Sequence, residues 1–522
     1  MLGSAAMSLR PATGEGRSQL VVAAVVAAVL ILTRLWLVAV PPSFSDIPAY
    51  QHDAALWGAA GEEGASFYDL HRAYVISTSE ALGHEPPEGT TLIEYPPLAL
   101  AFVAAINVGL PSSADPQDAA RLHDYTTRYR LLAFAVDLLI LLALALLAGR
   151  AGALRTASPP WRWSTAWRLA VYGAGGVAIY YILYDRLDIF EGALLLASLL
   201  ALIRGWWATS LVVLAVAIDF KVYPAVLVPL WLVASLPATT LADWRRGPAR
   251  VARLLARRIM LLGGTALALL LPFVVIQGPD SLQFIAFNAQ RGLQLESVGA
   301  SLLMLLQVAG QPLQIVARYG AYEVVGPLAP GLALASIPLT LVVVAVVWWL
   351  YARAAVRQAR QVNGSRTTSE AVDGAPDAVE PLVATMAPDL LVLAAVAMLL
   401  VVMVMAKVLS PQYFLWLLPL VPLLSGGSRM RAWQVGFVVL LALSTVVFPG
   451  LYSSGPLTLA LLLRNGALLV LTATACARLA GPWSTPPRDR APLSRRSGTT
   501  MSSPPAPARP TSSMSTFTSS MR

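Results

Sequence analysis

The amino-acid sequence predicts an all-α, polytopic helical membrane protein with about twelve transmembrane helices and a large first outer loop. Hydrophobic residues make up 57% of the 522 residues, and charged residues only 12%. So much apolar surface exceeds what a water-soluble core can bury, and many apolar runs approach the roughly 20 residues of a bilayer-spanning helix. These runs are continuous rather than alternating, which argues against a transmembrane β-barrel. Examples are Leu131–Leu147, Met260–Ile276, Leu332–Leu350 and Leu390–Val408.

The formal net charge of +9 does not indicate a nucleic-acid partner. The basic residues are concentrated in short segments between apolar runs, notably Arg245–Arg258 and Arg353–Arg366. This pattern is the Lys/Arg excess that marks cytoplasmic loops. The single cysteine, Cys476, lies inside an apolar run and cannot form an intramolecular disulfide.

Composition divides the chain into five segments. The first apolar run, Leu20–Val40, follows Arg10 and Arg17 and lacks a small-residue cleavage site, so it predicts a retained signal-anchor helix with a cytoplasmic N-terminus. Later polar stretches predict a linker and a disordered tail, and the aromatic, acidic first loop predicts short interfacial helices. The predicted segments are a cytoplasmic N-terminus (1–19), an N-terminal catalytic membrane module (20–352) with an outer loop (41–96), a cytoplasmic linker (353–388), C-terminal transmembrane helices (389–480) and a disordered cytoplasmic tail (481–522).

Two apolar segments are expected to enter the membrane only partly. Pro97–Leu110 would span about 21 Å as a helix, too short for a hydrocarbon core of about 30 Å. A second partial segment, Ser301–Val316, restores the basic linker to the cytoplasm. With this topology the polar breaks converge on the outer side: Asp46, the turn Tyr184–Asp188, the break Phe220–Lys221, the loop Gln277–Gly299 and the turn Ser410–Tyr413.

Two charged residues are placed for chemistry on a lipid-borne substrate at the membrane surface. Asp46 begins the outer loop, where a carboxylate can accept a proton from an attacking hydroxyl group. Lys221 interrupts the apolar stretch Ala208–Ser235, which Pro224 closes into two short helices. A lysine at membrane depth is costly without an anionic partner.

Each of these residues also has a structural explanation. Asp46 stands where it could cap a helix that starts at Ile47. Lys221 could pair with Asp219 or extend to the interface.

Further candidates lie in the remaining outer segments, each with an ordinary alternative. Asp185, Arg186 and Asp188 could line a sugar pocket or belong to a solvated turn. Gln412 and Tyr413 could line the site or belong to an interfacial aromatic belt. Arg291 and Glu296 are available for acceptor head groups.

Several segments resemble integral-membrane C-type glycosyltransferases. Phe220–Pro224 (FKVYP), Ser410–Trp416 (SPQYFLW) and Phe134–Leu139 (FAVDLL) resemble the catalytic subunit of GPI mannosyltransferase I. Glu94–Pro97 (EYPP) and the loop at Asp46 are similar to bacterial polyprenol-phosphate-mannose-dependent mannosyltransferases that act on phosphatidylinositol mannosides. The resemblance runs from about residue 46 to about residue 424.

The resemblance implies a membrane mannosyltransferase. It would move mannose from a polyprenyl-phosphate donor to a lipid or glycan acceptor on the outer face of a bacterial plasma membrane, with Asp46 as the base. Eukaryotic relatives carry Asp-x-Asp at this point, whereas Pro48 replaces the second acid here, which puts a divalent metal in doubt and makes Asp46 a metal-independent base; no other cofactor is implied. The substrate-binding residues would be Tyr95, Asp185, Arg186, Asp188, Lys221, Arg291, Glu296, Gln412 and Tyr413.

Two other classes fit the composition. A lipid or glycolipid transporter or flippase would also have broken helices and intramembrane charges, but its usual internal repeats are not evident between the two halves of the chain. A non-catalytic scaffold in an envelope-assembly complex is the third interpretation.

Overall fold

The computed structural model describes residues 14–41, 45–110, 118–150, 161–308, 310–367, 388–452 and 456–481. These residues are mostly helical and include six helices long and apolar enough to cross a membrane, which confirms the predicted all-α polytopic membrane fold. The α-helices are α1 (Gly14–Ala39), α2 (Ile47–Glu63), α3 (Phe67–Ala81), α4 (Pro97–Ile106), α5 (Ala119–Arg150), α6 (Trp161–Ala178), α7 (Tyr180–Leu183), α8 (Asp188–Ile203), α9 (Trp207–Phe220), α10 (Val228–Ala234), α11 (Ala238–Ala242), α12 (Pro248–Gln277), α13 (Gln283–Gln290), α14 (Val298–Val308), α15 (Ala329–Thr367), α16 (Pro388–Met405), α17 (Phe414–Leu417), α18 (Ser428–Thr445) and α19 (Leu457–Ala480). The strands are β1 (Leu293–Gln294), β2 (Gln314–Arg318) and β3 (Ala321–Val325).

Two of the long apolar helices mark the inside and the outside of the helix bundle. In α16, 83% of the most apolar 18-residue stretch is buried, whereas none of the corresponding stretch of α12 is buried. A helix that is apolar on all sides belongs in a protein core or in lipid. Helix α16 therefore forms the centre of the bundle, where it packs against α15 and α19, and α12 presents an apolar surface suited to lipid.

The first of the two predicted partial segments is a short helix. Helix α4 has ten residues and ends at Ile106, so it is about 15 Å long and cannot cross a hydrocarbon core of about 30 Å. It packs against α2, the first helix of the predicted outer loop. This contact places the start of the loop beside the start of α4.

The second predicted partial segment differs from the expectation. Helix α14 ends at Val308, and Gln314–Arg318 is a strand that pairs antiparallel with β3. The order of the sheet is β1-β3-β2. Tyr319 (φ 49°) and Gly320 (φ 66°) form the turn between β2 and β3, and two residues with positive φ are typical of a two-residue hairpin turn.

The hairpin is attached to the segment before α4. The backbone N–H of Tyr319 donates to the carbonyl oxygen of Glu88 at 2.9 Å. The Tyr319 ring lies so close to Gly89 that a Cβ atom at residue 89 would overlap it. Gly89 also has φ 83°, a conformation that favours glycine. The sheet therefore holds the end of the predicted outer loop.

The predicted break in the apolar stretch Ala208–Ser235 is present. Helix α9 ends at Phe220, and Lys221 is extended (φ −157°, ψ 120°). A 3₁₀ turn, Tyr223–Leu227, contains Pro224 and leads into α10. The break turns the chain at the point where Lys221 lies.

A buried ion pair joins the first helix to the bundle. Arg34 Nε donates to Asp137 Oδ2 at 2.9 Å, and both side chains are fully buried. The hydroxyl groups of Tyr172 and Tyr184 donate to the same carboxylate at 2.5 and 2.7 Å. Gly176 gives the guanidinium group its space, because a Cβ there would overlap Arg34. This network links α1, α5, α6 and the turn before α8.

The predicted linker starts inside a helix. Helix α15 continues to Thr367, so residues 353–367 are helical, and residues 368–387 lie outside the described residues. Of the predicted tail, only Gly481 is described.

We predict that Arg34→Met lowers the free energy of unfolding by about 3–5 kcal/mol, because Asp137 is left as an uncompensated buried charge. Unfolding of the purified protein in detergent, followed by tryptophan fluorescence, measures the effect. The double variant Arg34→Met/Asp137→Leu should recover most of the loss. Arg72→Met is the control, since Arg72 forms half-exposed pairs with Asp69 and Asp280 worth at most about 1 kcal/mol. Equal losses in the two single variants would show that the buried pair is not structural.

Candidate functional site

Charged side chains from distant parts of the sequence meet where several helices begin or end. We call this group the polar cluster, and it consists of Asp46, Glu94, Arg186, Asp188, Glu191, Lys221 and Arg291.

The floor of the polar cluster is the first turn of α8. Asp188 and Glu191 lie in this turn, and both are 0% exposed. The partial positive charge of a helix N-terminus favours carboxylates there. Asp188 Oδ1 accepts hydrogen bonds from Lys221 Nζ at 2.8 Å and from Trp416 Nε1 at 2.5 Å. One carboxylate thus connects α8, the end of α9 and α17.

Aromatic rings surround the ammonium group of Lys221. Its Nζ lies 5.6 Å from the ring centre of Tyr95, 5.8 Å from that of Tyr413 and 5.7 Å from that of Trp416. Trp416 stacks with Tyr413 and with Tyr223, at ring-centre distances of 4.3 and 3.2 Å. Cation–π contacts of this kind stabilise a cation that has left water. Lys221 therefore has both an anionic partner and an aromatic enclosure.

The mouth of the polar cluster contains Asp46. Its carboxylate forms an ion pair with Arg186, and Tyr50 Oη donates to it at 3.5 Å. Tyr50 Oη in turn lies 3.3 Å from Tyr95 Oη, which connects this pair to the enclosure of Lys221. The Asp46 side chain is 32% exposed and that of Arg186 15%. Asp46 occupies the N-cap position of α2 but makes no capping hydrogen bond, so its side chain serves the ion pair.

A second ion pair lies beside Tyr95. Arg291 Nη1 is 3.5 Å from Glu94 Oε1, and the Glu94 side chain is 34% exposed. Lys407 Nζ fixes the backbone at this point, because it donates to the carbonyl oxygens of Ala289 and Arg291 at 2.8 and 2.6 Å. Burial lowers the pKa of Lys407.

The sheet supports the same segment. Glu323 accepts the backbone N–H of Gly292 at 2.7 Å. Burial raises the pKa of the Glu323 carboxyl group, and this hydrogen bond opposes the shift.

Three residues that the sequence nominated take no part in the ion pairs of the polar cluster, although Glu296 interacts electrostatically with Arg186. Asp185 pairs with Arg130 at 2.7 Å, and Glu296 pairs with Arg464 at 2.5 Å, both as buried pairs between helices and loops. Gln412 is nearly buried in the 3₁₀ turn Pro411–Tyr413, where its neighbour Tyr413, and not Gln412, lies against Lys221.

Lys221 pairs with Asp188 and not with its neighbour Asp219, the alternative that the sequence left open.

Sequence reasoning missed four residues of the site: Tyr50, Glu191, Tyr223 and Trp416. A signal for Glu191 was available, because Asp188 and Glu191 are three residues apart and therefore share a face of an otherwise apolar helix. Tyr223 and Trp416 lie within two of the motifs that carried the resemblance, but only the fold brings their rings together.

The described residues contain no group of three or more His, Cys, Asp or Glu side chains arranged to hold a metal ion. The polar cluster instead offers paired charges of both signs beside aromatic rings. Such an arrangement can bind a head group that carries a phosphate, hydroxyl groups or an amine.

Fold and site together define a polytopic helical membrane protein with a polar recess of paired charges between its helix ends. The family model of the GPI transamidase subunit PIG-U matches residues 78–290, which is less than half of the chain. The matched residues include Tyr95, Arg186, Asp188 and Lys221. No curated protein matches the chain.

This match corrects the function predicted from sequence. PIG-U is a subunit of a transamidase, so the prediction of an enzyme that transfers mannose from a polyprenyl-phosphate donor, with Asp46 as base, is wrong. The alternative of a lipid flippase or transporter is wrong for the same reason. The geometry gives a physical reason as well: the charge of Asp46 is balanced by Arg186. Of the predicted partners, the six long apolar helices support the membrane. They do not show that it is a bacterial plasma membrane or that an active site faces outward.

We predict that Asp46→Cys/Arg186→Cys, in a Cys476→Ser background, is linked within one chain by a short bifunctional thiol reagent. The two side chains form an ion pair, so their cysteine replacements should lie within the reagent's reach. Mass spectrometry of linked peptides measures the product.

The control is Asp46→Cys/Ser428→Cys. Ser428 lies about 26 Å along the 18-residue helix α18 from Thr445, and Thr445 contacts Ala178, which precedes the turn that carries Arg186. Linkage of the control pair but not of the first pair would refute the geometry of the polar cluster.

Proposed function

We propose that this chain is a non-catalytic, membrane-embedded subunit of a complex of the transamidase kind, and that the polar cluster binds the phosphate-bearing head group of a glycolipid. The observation that carries the proposal is the convergence of three cation–carboxylate pairs in one recess: Asp46 with Arg186, Asp188 with Lys221, and Glu94 with Arg291. The match to a GPI transamidase subunit supports a glycosylphosphatidylinositol as the class of lipid.

The exposure of the pairs suits a ligand that enters from one side. Asp46 and Glu94 at the mouth are about one third exposed, Arg186 and Lys221 are 15% and 13% exposed, and Asp188 is fully buried. A phosphate can replace a carboxylate as the partner of Arg186 or Arg291 without leaving either guanidinium group unpaired. The apolar helices would hold the lipid tails in the bilayer.

We expect a glycosylated phosphatidylinositol to raise the melting temperature of the purified protein in detergent, and diacylglycerol with the same chains to have no such effect. A ligand that binds only the folded state stabilises it in proportion to its affinity. Arg186→Gln should weaken binding about tenfold or more, since a hydrogen bond to a charged group contributes about 1.5–3 kcal/mol.

Arg72→Gln, at a surface pair outside the polar cluster, is the matched control and should bind as the unmodified protein does. Lys221→Arg, which keeps the charge, tests the same recess with less risk of misfolding. Equal stabilisation by the two lipids would refute the head-group site.

The subunit role has a separate test. In membranes of the native host solubilised with a mild detergent, the chain should migrate on a native gel as a species much larger than the purified chain. Migration of the native protein as a monomer would contradict this role and leave the lipid site to be judged by its own experiment.

A further inference from the structure

One buried carboxylate of the polar cluster has no hydrogen-bond partner among the described residues. Neither Oε1 nor Oε2 of Glu191 is bonded there, although the side chain is 0% exposed. A buried polar group normally has a partner, and a missing one calls for an explanation. Asp188 Oδ2 and the hydroxyl group of Tyr223 are likewise buried without a partner in the described part of the chain.

These groups lie close together. Asp188 and Glu191 are one turn apart on α8, and Glu191 interacts electrostatically with both Asp188 and Lys221. Tyr223 interacts with the same two carboxylates and stacks on Trp416, the residue that donates to Asp188. The unpartnered oxygens therefore belong to side chains that interact with one another beside the Tyr223–Trp416 stack.

The charges in this region do not balance. Lys221 is the cation bonded to Asp188, which leaves the second carboxylate, Glu191, without its own counter-charge in the part of the chain that the structure describes. An uncompensated charge at this depth is costly. Protonation of Glu191 would remove the charge, but the buried carboxyl group would still lack the hydrogen-bond partner that a buried polar group normally has.

We propose that Glu191, Asp188 and the Tyr223–Trp416 stack bind the primary ammonium group of the lipid head group. A primary ammonium group has three N–H donors, and the site offers three unpartnered carboxylate oxygens, two on Glu191 and one on Asp188. One positive charge balances the second carboxylate, and the aromatic rings favour an organic cation. This inference rests on the proposed lipid-binding function and names an amine, such as that of a phosphoethanolamine group, as the feature that is recognised.

The test compares two lipids that differ only in the amine. Short-chain phosphatidylethanolamine and its N-acetyl derivative are titrated into the full-length protein in detergent, and binding is measured by isothermal titration calorimetry. The unmodified protein should bind the free amine about tenfold or more tightly, the effect of one charge-assisted hydrogen bond. Glu191→Gln should reduce this ratio to near one while both lipids still bind.

Glu191→Asp keeps the charge and should retain part of the preference for the free amine. This variant separates loss of the charge from misfolding of the protein. Glu80→Gln, an exposed acid on α3, is the matched control. If Glu191→Gln keeps the full preference, or if the unmodified protein binds the two lipids equally, the amine site is refuted and the phosphate site stands. If neither lipid binds the unmodified protein, the amine site is refuted, and the phosphate site is judged by its own experiment with a glycosylated phosphatidylinositol.

Discussion

The ion pair between Lys221 and Asp188 is the interaction on which the rest of the site depends. A lysine between apolar helices is stable only with an anionic partner, and Asp188 supplies one at 2.8 Å. Trp416 donates to the same carboxylate oxygen, so the pair also fixes the position of the aromatic stack. Removal of either charge would leave the other buried and unpaired, at a cost of about 3–5 kcal/mol. The start of α8, the end of α9 and α17 are therefore held in one geometry by a single carboxylate.

Helix ends explain why these charges are tolerated inside a membrane protein. The acids Asp188 and Glu191 lie in the first turn of α8, and Lys221 directly follows the last residue of α9. The helix dipole favours negative charge at the N-terminus and positive charge at the C-terminus, so both placements are favourable. The short helix α4 and the break after Phe220 supply such ends within the apolar part of the chain.

Much of this arrangement was predictable, and the limits have physical causes. The broken helix at Lys221 followed from a charge and a proline in an apolar run, and the meeting of Asp46 with Arg186 agrees with the inferred topology. Partner choice was not predictable, because Asp219 is nearest to Lys221 in sequence but Asp188 is its partner in space. The hairpin was not predicted because Gln314–Arg318 follows the apolar helix α14. From sequence, the strand looked like the end of that apolar segment. The predicted function was wrong because short motifs show only which residue types are present. The same residue types serve binding sites as well as catalytic sites.

The polar cluster shows why acids, a lysine and aromatic rings in a membrane do not by themselves define an enzyme. A transferase needs a carboxylate that is available to take a proton from the attacking group. In this chain Asp46, the carboxylate best placed at the mouth, is balanced by Arg186, and Asp188 is balanced by Lys221. Among the described residues Glu191 has no such partner, but it lies at the fully buried floor, where a charge is useful only to a group that brings the opposite charge with it. The carboxylate of Asp46 at the mouth is already paired, whereas that of Glu191 at the floor has no partner among the described residues. This arrangement favours the binding of a head group over a reaction upon it.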